Sequence, residues 1–155
     1  MGVLSDDMKR VVDRQRLGFV ATVSPDGTPN LSPKGTVSVL DDDRLVFADL
    51  RSPKTVANLR VNPNVEVNVV DPFTRKGYRF KGKAQVLHSG DEFDRLVTFF
   101  ANLRGLTDAP RRIRAIVVIK VDHAKAVVSP AYDHDTDERA MRERWIRYYV
   151  GDDNR

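Results

Sequence analysis

Ser24-Pro25-Asp26-Gly27 folds the chain back on itself early in the sequence. Pro at the second turn position followed by Asp-Gly is hairpin chemistry. A strand, Gly18-Phe19-Val20-Ala21-Thr22-Val23, precedes it. A return strand runs through Asn30, Leu31 and Ser32 toward Thr36-Val37-Ser38-Val39-Leu40. A second acidic turn, Asp41-Asp42-Asp43, leads into Arg44-Leu45-Val46-Phe47-Ala48. The first half of the chain is therefore a run of short antiparallel strands.

The remaining elements follow the same logic. Ser5 caps a first helix, with Asp6 and Asp7 at its positive end. Ser52 and Pro53 start a short helix that Asn62-Pro63 stops near Val61. Val65, Val67 and Val69 alternate with polar residues, the period of a half-buried strand. Tyr78 to Leu87 is a strand with Phe80, Gly82, Ala84 and Val86 on one face and Arg79, Lys81, Lys83 and Gln85 on the other. Ser89-Gly90-Asp91-Glu92 reads as a capping box for a helix carrying Phe93, Leu96, Val97 and Phe100. Ile113 to Val121 is a buried strand, Ala124 to Ser129 another, and Asp137 to Tyr149 a C-terminal helix. Strands and helices do not alternate regularly, which excludes a doubly wound parallel sheet. Six or seven strands in antiparallel patterning make the expected fold mainly β, a small antiparallel barrel with peripheral helices. One domain spans residues 1–155, with a helical tail from about residue 132.

Composition narrows the chemistry. The 155 residues contain no cysteine, which removes disulfides, thiolate metal sites and cysteine nucleophiles. Apolar content of 41% suits a globular core. Of the net charge of +4, the tail from Tyr132 contributes −2, from seven acidic and five basic residues, so the body carries +6. That excess invites an anionic partner. The acidic N-terminus lacks the pattern of a signal peptide, and no membrane-length apolar run occurs, so a cytoplasmic location is expected.

Three segments can meet an anion. Ser52-Pro53-Lys54-Thr55, preceded by Arg51, sets a lysine and a hydroxyl in the first turn of a helix, where free N–H groups and the dipole favour negative charge. In Leu31-Ser32-Pro33-Lys34-Gly35-Thr36 a Pro and a Gly interrupt a strand, the mark of a bulge or a close approach by a ligand. Arg79, Lys81 and Lys83 form a basic strand face. Each is also consistent with an ordinary cap, an edge kink or a wet sheet face. Nucleic-acid readout is disfavoured, because only Tyr78 interleaves an aromatic ring with that face. No metal-binding cluster, nucleophile elbow or glycine-rich phosphate loop is present. Any catalysis falls to a bound cofactor, and no catalytic side chain is assigned.

Five segments in order carry a resemblance: Phe19 to Val23 before Asp26-Gly27-Thr28-Pro29; Ser32-Pro33-Lys34-Gly35; Ser52-Pro53-Lys54-Thr55-Val56-Ala57-Asn58-Leu59; Asn62-Pro63-Asn64-Val65; and Arg79-Phe80-Lys81-Gly82-Lys83-Ala84. The sequence resembles the pyridoxamine 5′-phosphate oxidase-related FMN-binding proteins, the split-barrel flavoproteins, over about residues 5–125. The resemblance implies a six-stranded split barrel that dimerises, with FMN between subunits. It implies that Lys54 and Thr55 grip the FMN phosphate, with Arg51 and Ser52 beside them. Ser32, Pro33, Lys34, Gly35 and Thr36 would run along the flavin, and Asp49 and Leu50 would approach its ring through backbone groups. Arg79 and Lys81 would contribute from the same cleft. Trp145 and Tyr148 either cover the flavin or pack on the barrel. The implied activity is transfer of a hydride or electrons between a nicotinamide donor and a small molecule. A deazaflavin coenzyme, with its anionic tail on the Arg79–Lys83 face, and a non-catalytic flavin-binding or sensing protein are the alternatives. The end of the chain lacks the Arg-Leu-x-Pro-like segment of the vitamin oxidases, so that activity is not implied.

Overall fold

The computed structural model describes residues 2–105 and 108–151. Its strands are β1 (Gly18–Val23), β2 (Pro29–Lys34), β3 (Ser38–Val39), β4 (Arg44–Asp49), β5 (Asn64–Asp71), β6 (Lys76–Leu87) and β7 (Ala115–Val128). They form one antiparallel sheet in the order β2-β1-β5-β6-β7-β4-β3. The sheet has seven strands, where the patterning allowed six or seven and the resemblance implied six, because the return strand after the first turn divides. β2 pairs with β1, and β3 pairs with β4 at the opposite edge. Only Gly35, Thr36 and Val37 join these two edges, a span of at most about 14 Å for extended chain. The sheet is therefore curled into a half-barrel whose edges are bridged covalently. The Thr36 hydroxyl fixes the bridge by donating to the Ala48 carbonyl (2.9 Å) and accepting from the Ala48 amide (3.1 Å).

The long strands β6 and β7 carry the two halves of this sheet. β6 supports β5, β1 and β2, and β7 supports β4 and β3. The two strands expected after Ile113 are one strand, bent where Lys81 faces His123 and Gly82 faces Val121. Asp122 is the extra residue of that bulge, and Asp122 and His123 are both exposed, breaking the alternation. A Cβ at Gly82 would lie 2.0 Å from the Lys120 carbonyl oxygen, so only glycine permits the approach.

Alternation on β4 explains the two cores. Leu45 and Phe47 point into the curl with Val20, Val67, Phe80, Val117 and Ile119. Val46 and Ala48 point outward and are covered by α3 (Asp91–Arg104) and α4 (Ala109–Arg112) through Leu96, Val97, Phe100 and Ala109. β4 is consequently apolar on both faces. Helix α1 (Asp6–Gln15) closes the curl with Val12, and Ser5 caps it through the Met8 amide (3.3 Å). The capping box expected at Ser89 is absent. The residue before α3 is Gly90 at φ 95°, with no side-chain cap, and Asp91, Glu92 and Asp94 complement the helix dipole instead. Helix α2 (Pro53–Val61) crosses from β4 to β5 and buries Thr55, Val56, Asn58 and Leu59. Helix α5 (Glu138–Val150) is capped by Asp137 and buries Met141. Among the described residues no helix is long and apolar enough to cross a membrane.

Gly82→Ala should lower stability by about 1–3 kcal/mol, the usual cost of overpacking, because backbone rather than a yielding side chain stands in the way. Urea denaturation of the variant against the parent measures it.

Candidate functional site

The bridge between β2 and β3 places Lys34 at the mouth of the curl, beside the start of α2. The Lys34 side chain is almost wholly buried, at 5% exposure. Its ammonium donates to the Ser32 hydroxyl (2.8 Å) and to the Ser52 hydroxyl, and lies 5.8 Å from the centre of the Phe47 ring. No carboxylate of the described residues reaches ion-pair distance. Burial pushes the Lys34 pKa below its ordinary 10.5, against the opposing charge of Asp49.

Asp49, 3% exposed, braces the same corner. Its carboxylate accepts the Ser52 amide (2.7 Å), and its carbonyl accepts the Arg114 amide (2.9 Å). Ser52 was expected to cap α2, but its hydroxyl is taken by Lys34 and makes no cap. Pro53 has no amide hydrogen, and the Val56 amide returns to the Ser52 carbonyl (3.3 Å). The Lys54 and Thr55 amides are left as the open donors of the first turn. A buried ammonium and an uncapped helix start thus converge on one corner, which suits a phosphate dianion.

Further along the α2–β2 seam lies a buried polar knot. The Thr22 hydroxyl accepts from Asn58 (3.0 Å) and from Asn30 (3.2 Å). Sequence reasoning overlooked this knot and Arg114. Asn58 had one available signal: it is a polar residue three positions after Thr55, on the face of α2 that also buries Val56 and Leu59.

The chain matches the family described as pyridoxamine 5′-phosphate oxidase over residues 4–128. It belongs to that family. An uncharacterised protein of Methanocaldococcus jannaschii is 29% identical over 90 residues, 57% of this chain and 59% of that protein. The chain therefore spans about three-fifths of the curated relative it matches. HupZ of Group A Streptococcus is 26% identical, with a TM-score of 0.72 over 81% of this chain and 95% of that one. An F420 reductase is 22% identical, with a TM-score of 0.62 over 79% of this chain and 98% of that one. An FMN-binding protein of Syntrophomonas wolfei is 19% identical, with a TM-score of 0.65 over 79% and 86%. The last two likenesses are likenesses of fold.

In this pyridoxamine 5′-phosphate oxidase relative the expected residues separate into groups. Ser32, Lys34, Asp49, Ser52 and the first turn with Lys54 and Thr55 come together. Arg51 is exposed beside them, and the Thr55 side chain is buried. Pro33 lies on the exposed outer face, opposite Phe19. Thr36 is committed to Ala48. Leu50 packs on the α3–α4 core, and the Asp49 carbonyl is spent on Arg114. Arg79 and Lys81 stand on the outer face of β6, opposite Phe80, and both pair with Glu66, at 2.8 Å and 3.5 Å. Burial pushes the Glu66 carboxyl up, but the Arg79 bond and the two cationic charges bring it below its usual range. Within one chain these residues do not share the Lys34 corner. Trp145 packs against the β5–β6 turn, with the Arg75 guanidinium 3.5 Å from its ring centre and Met141 sulfur 3.2 Å from its N–H.

The depressed Lys34 pKa has a direct consequence. Folding costs this lysine part of its proton affinity, so the native state binds fewer protons than the unfolded chain between the lowered pKa and 10.5. Stability of the ligand-free protein should rise with pH across that window. Lys34→Met should remove that rise, as read from denaturant midpoints at successive pH values.

Proposed function

We propose that the chain is an FMN-binding oxidoreductase that passes a hydride or electrons between a nicotinamide donor and a small molecule. The observation that carries the reading is the Lys34 corner, where a buried ammonium held only by hydroxyls meets the uncapped start of α2. These residues fit a phosphate monoester: Lys34, Lys54 and the Lys54 and Thr55 amides would hold it, with Ser32 and Ser52 orienting the lysine. FMN, when bound, supplies the electron-transfer chemistry. The chain's part is to bind and orient. Asp49 keeps the Ser52 loop rigid, and the Thr22–Asn30–Asn58 knot holds α2 against the β1–β2 hairpin. Gly35 adds a fit of shape. A Cβ there would lie 3.8 Å from its nearest neighbour, the Arg16 carbonyl oxygen, so the chain itself leaves that backbone accessible.

A homodimer is part of the same proposal. On the outer face of the β1–β2 hairpin, Phe19 (41% exposed) and Leu31 (64% exposed) stand beside Pro33 and Ala21 in cross-strand register. Pro29 and Pro33 lie on the edge strand β2, where they weaken edge-to-edge pairing and leave face-to-face packing as the way to cover the patch. A second copy is the occupant proposed, because one patch packing on itself about a two-fold axis is the commonest oligomeric arrangement. The family and the FMN-binding and F420 reductase folds support the cofactor class, with deazaflavin as the second reading.

Purified protein should take up FMN stoichiometrically with a bound flavin spectrum, and a protein that binds no FMN ends this reading. Gly35→Ala should leave the melting temperature within about 1 °C while weakening FMN binding about tenfold, since an unfilled space costs folding little. Leu31→Glu should shift sedimentation toward a monomer by burying charge in the interface.

A further inference from the structure

Helix α5 follows residue 128, where the family match ends, and it adds a wall to a cavity. It faces α1 across the start of β6 and the end of β7, enclosing about 230 Å³ beside Tyr78, Ala126 and Val128. On α1, Asp7, Arg10, Val11 and Arg14 recur at the three- and four-residue spacing of one helix face. Glu138 and Arg142 share a face of α5 in the same way. Charge in the cavity is almost entirely matched within the chain. Asp7 accepts from the Arg10 guanidinium and from the Tyr78 hydroxyl. Glu138 pairs with Lys76 at 2.9 Å and Asp71 with Arg142 at 3.2 Å, which ties α5 to the β5–β6 turn. Three carboxylates thus answer three cations. The fourth cation, Arg14 at the exposed rim, has no side-chain hydrogen bond or ion pair among the described residues. The side-chain amide of its neighbour Gln15 is equally uncommitted among them. Between the charged groups the floor is apolar, formed by Val11, Ala126 and Val128.

We propose that the cavity between α1 and α5 is a second ligand site, which takes a small apolar monocarboxylate. The carboxylate meets the Arg14 guanidinium, Gln15 adds a donor, and the apolar part lies on Val11, Ala126 and Val128. A guanidinium presents paired N–H groups that match the two oxygens of a carboxylate. One unmatched cation suits one negative charge, so a dianion is the poorer fit. The occupant is small, because the volume falls below the roughly 300–1,000 Å³ of pockets for drug-sized ligands. The mouth of a curled sheet is a common place for such a ligand. Lys34, Ser52, Lys54 and Thr55 do not line this cavity, so the proposal stands whether or not FMN binds.

The probe is sodium benzoate, with benzamide as its uncharged analogue. Both are titrated into ¹⁵N-labelled full-length protein, wild type, Arg14→Gln and Arg14→Lys, and binding is read from backbone amide shifts. Benzoate should shift amides of α1, the start of β6 and α5 in a saturable way. Arg14→Gln should weaken it at least about tenfold, the scale of a charge-assisted hydrogen bond, and benzamide should bind wild type at least about tenfold more weakly. Arg14→Lys, which keeps the charge but not the paired donors, should fall between wild type and Arg14→Gln. Arg14 is exposed, so both variants should melt within about 1 °C of wild type. Four results overturn the site. They are no saturable benzoate binding below about 10 mM, shifts centred on Lys34 or on Arg79 and Lys81, equal benzoate affinity in wild type and Arg14→Gln, and benzamide binding as tightly as benzoate.

Discussion

Burying an ammonium group without a carboxylate beside it forces its surroundings to be polar, and the Lys34 corner is organised by that requirement. Ser32 and Ser52 supply oxygens, and Asp49 supplies a nearby charge while its carboxylate is bonded to the Ser52 amide. Because Ser52 answers Lys34, it cannot answer α2. A single contact thereby satisfies the lysine and uncaps the helix, and both effects leave the corner short of negative charge. The same lysine lies next to the short bridge that closes the curled sheet, so the site and the barrel closure share one stretch of chain.

Local chemistry explains which parts of this were legible in the sequence. Turn and cap signals held where one residue decides the outcome: Ser24 to Gly27 for the first hairpin, Ser5 for α1, Pro53 and Asn62-Pro63 for α2. They misled at Ser52 and Ser89, where a hydroxyl of the right type exists but has a tertiary partner or sits one residue too early. Pro33 and Gly35 marked a break in the return strand, but the pairing of β3 with β4 at the opposite edge was not legible, because it is a long-range choice with no local pattern. The bulge at Asp122 was hidden because Asp122-His123 interrupts the apolar run, so one bent strand reads as two.

Strand alternation separates residues that adjacency in sequence groups together. Ser32 and Lys34 face α2 while Pro33 faces outward, and Phe80 faces the core while Arg79 and Lys81 face outward. The resemblance assigned Ser32, Pro33, Lys34, Arg79 and Lys81 to one cleft. In a single curled sheet they occupy opposite faces, and the homodimer proposed above would be one way for opposite faces to serve one ligand.

The basic excess of the body is likewise sorted by geometry rather than spread evenly. On the outer face Glu66 holds Arg79 and Lys81, on α1 Asp7 holds Arg10, and at the β3–β4 turn Asp41 holds Arg44. Around α2 the pattern differs. Lys34 meets hydroxyls, Arg60 meets the His88 imidazole, and Arg51 and Arg114 meet no carboxylate among the described residues. At the Lys34 corner a buried cation without a bonded carboxylate raises the energy of the free chain, and an anion would relieve it. The net charge of +4 is therefore informative less by its size than by the place where it goes unmatched.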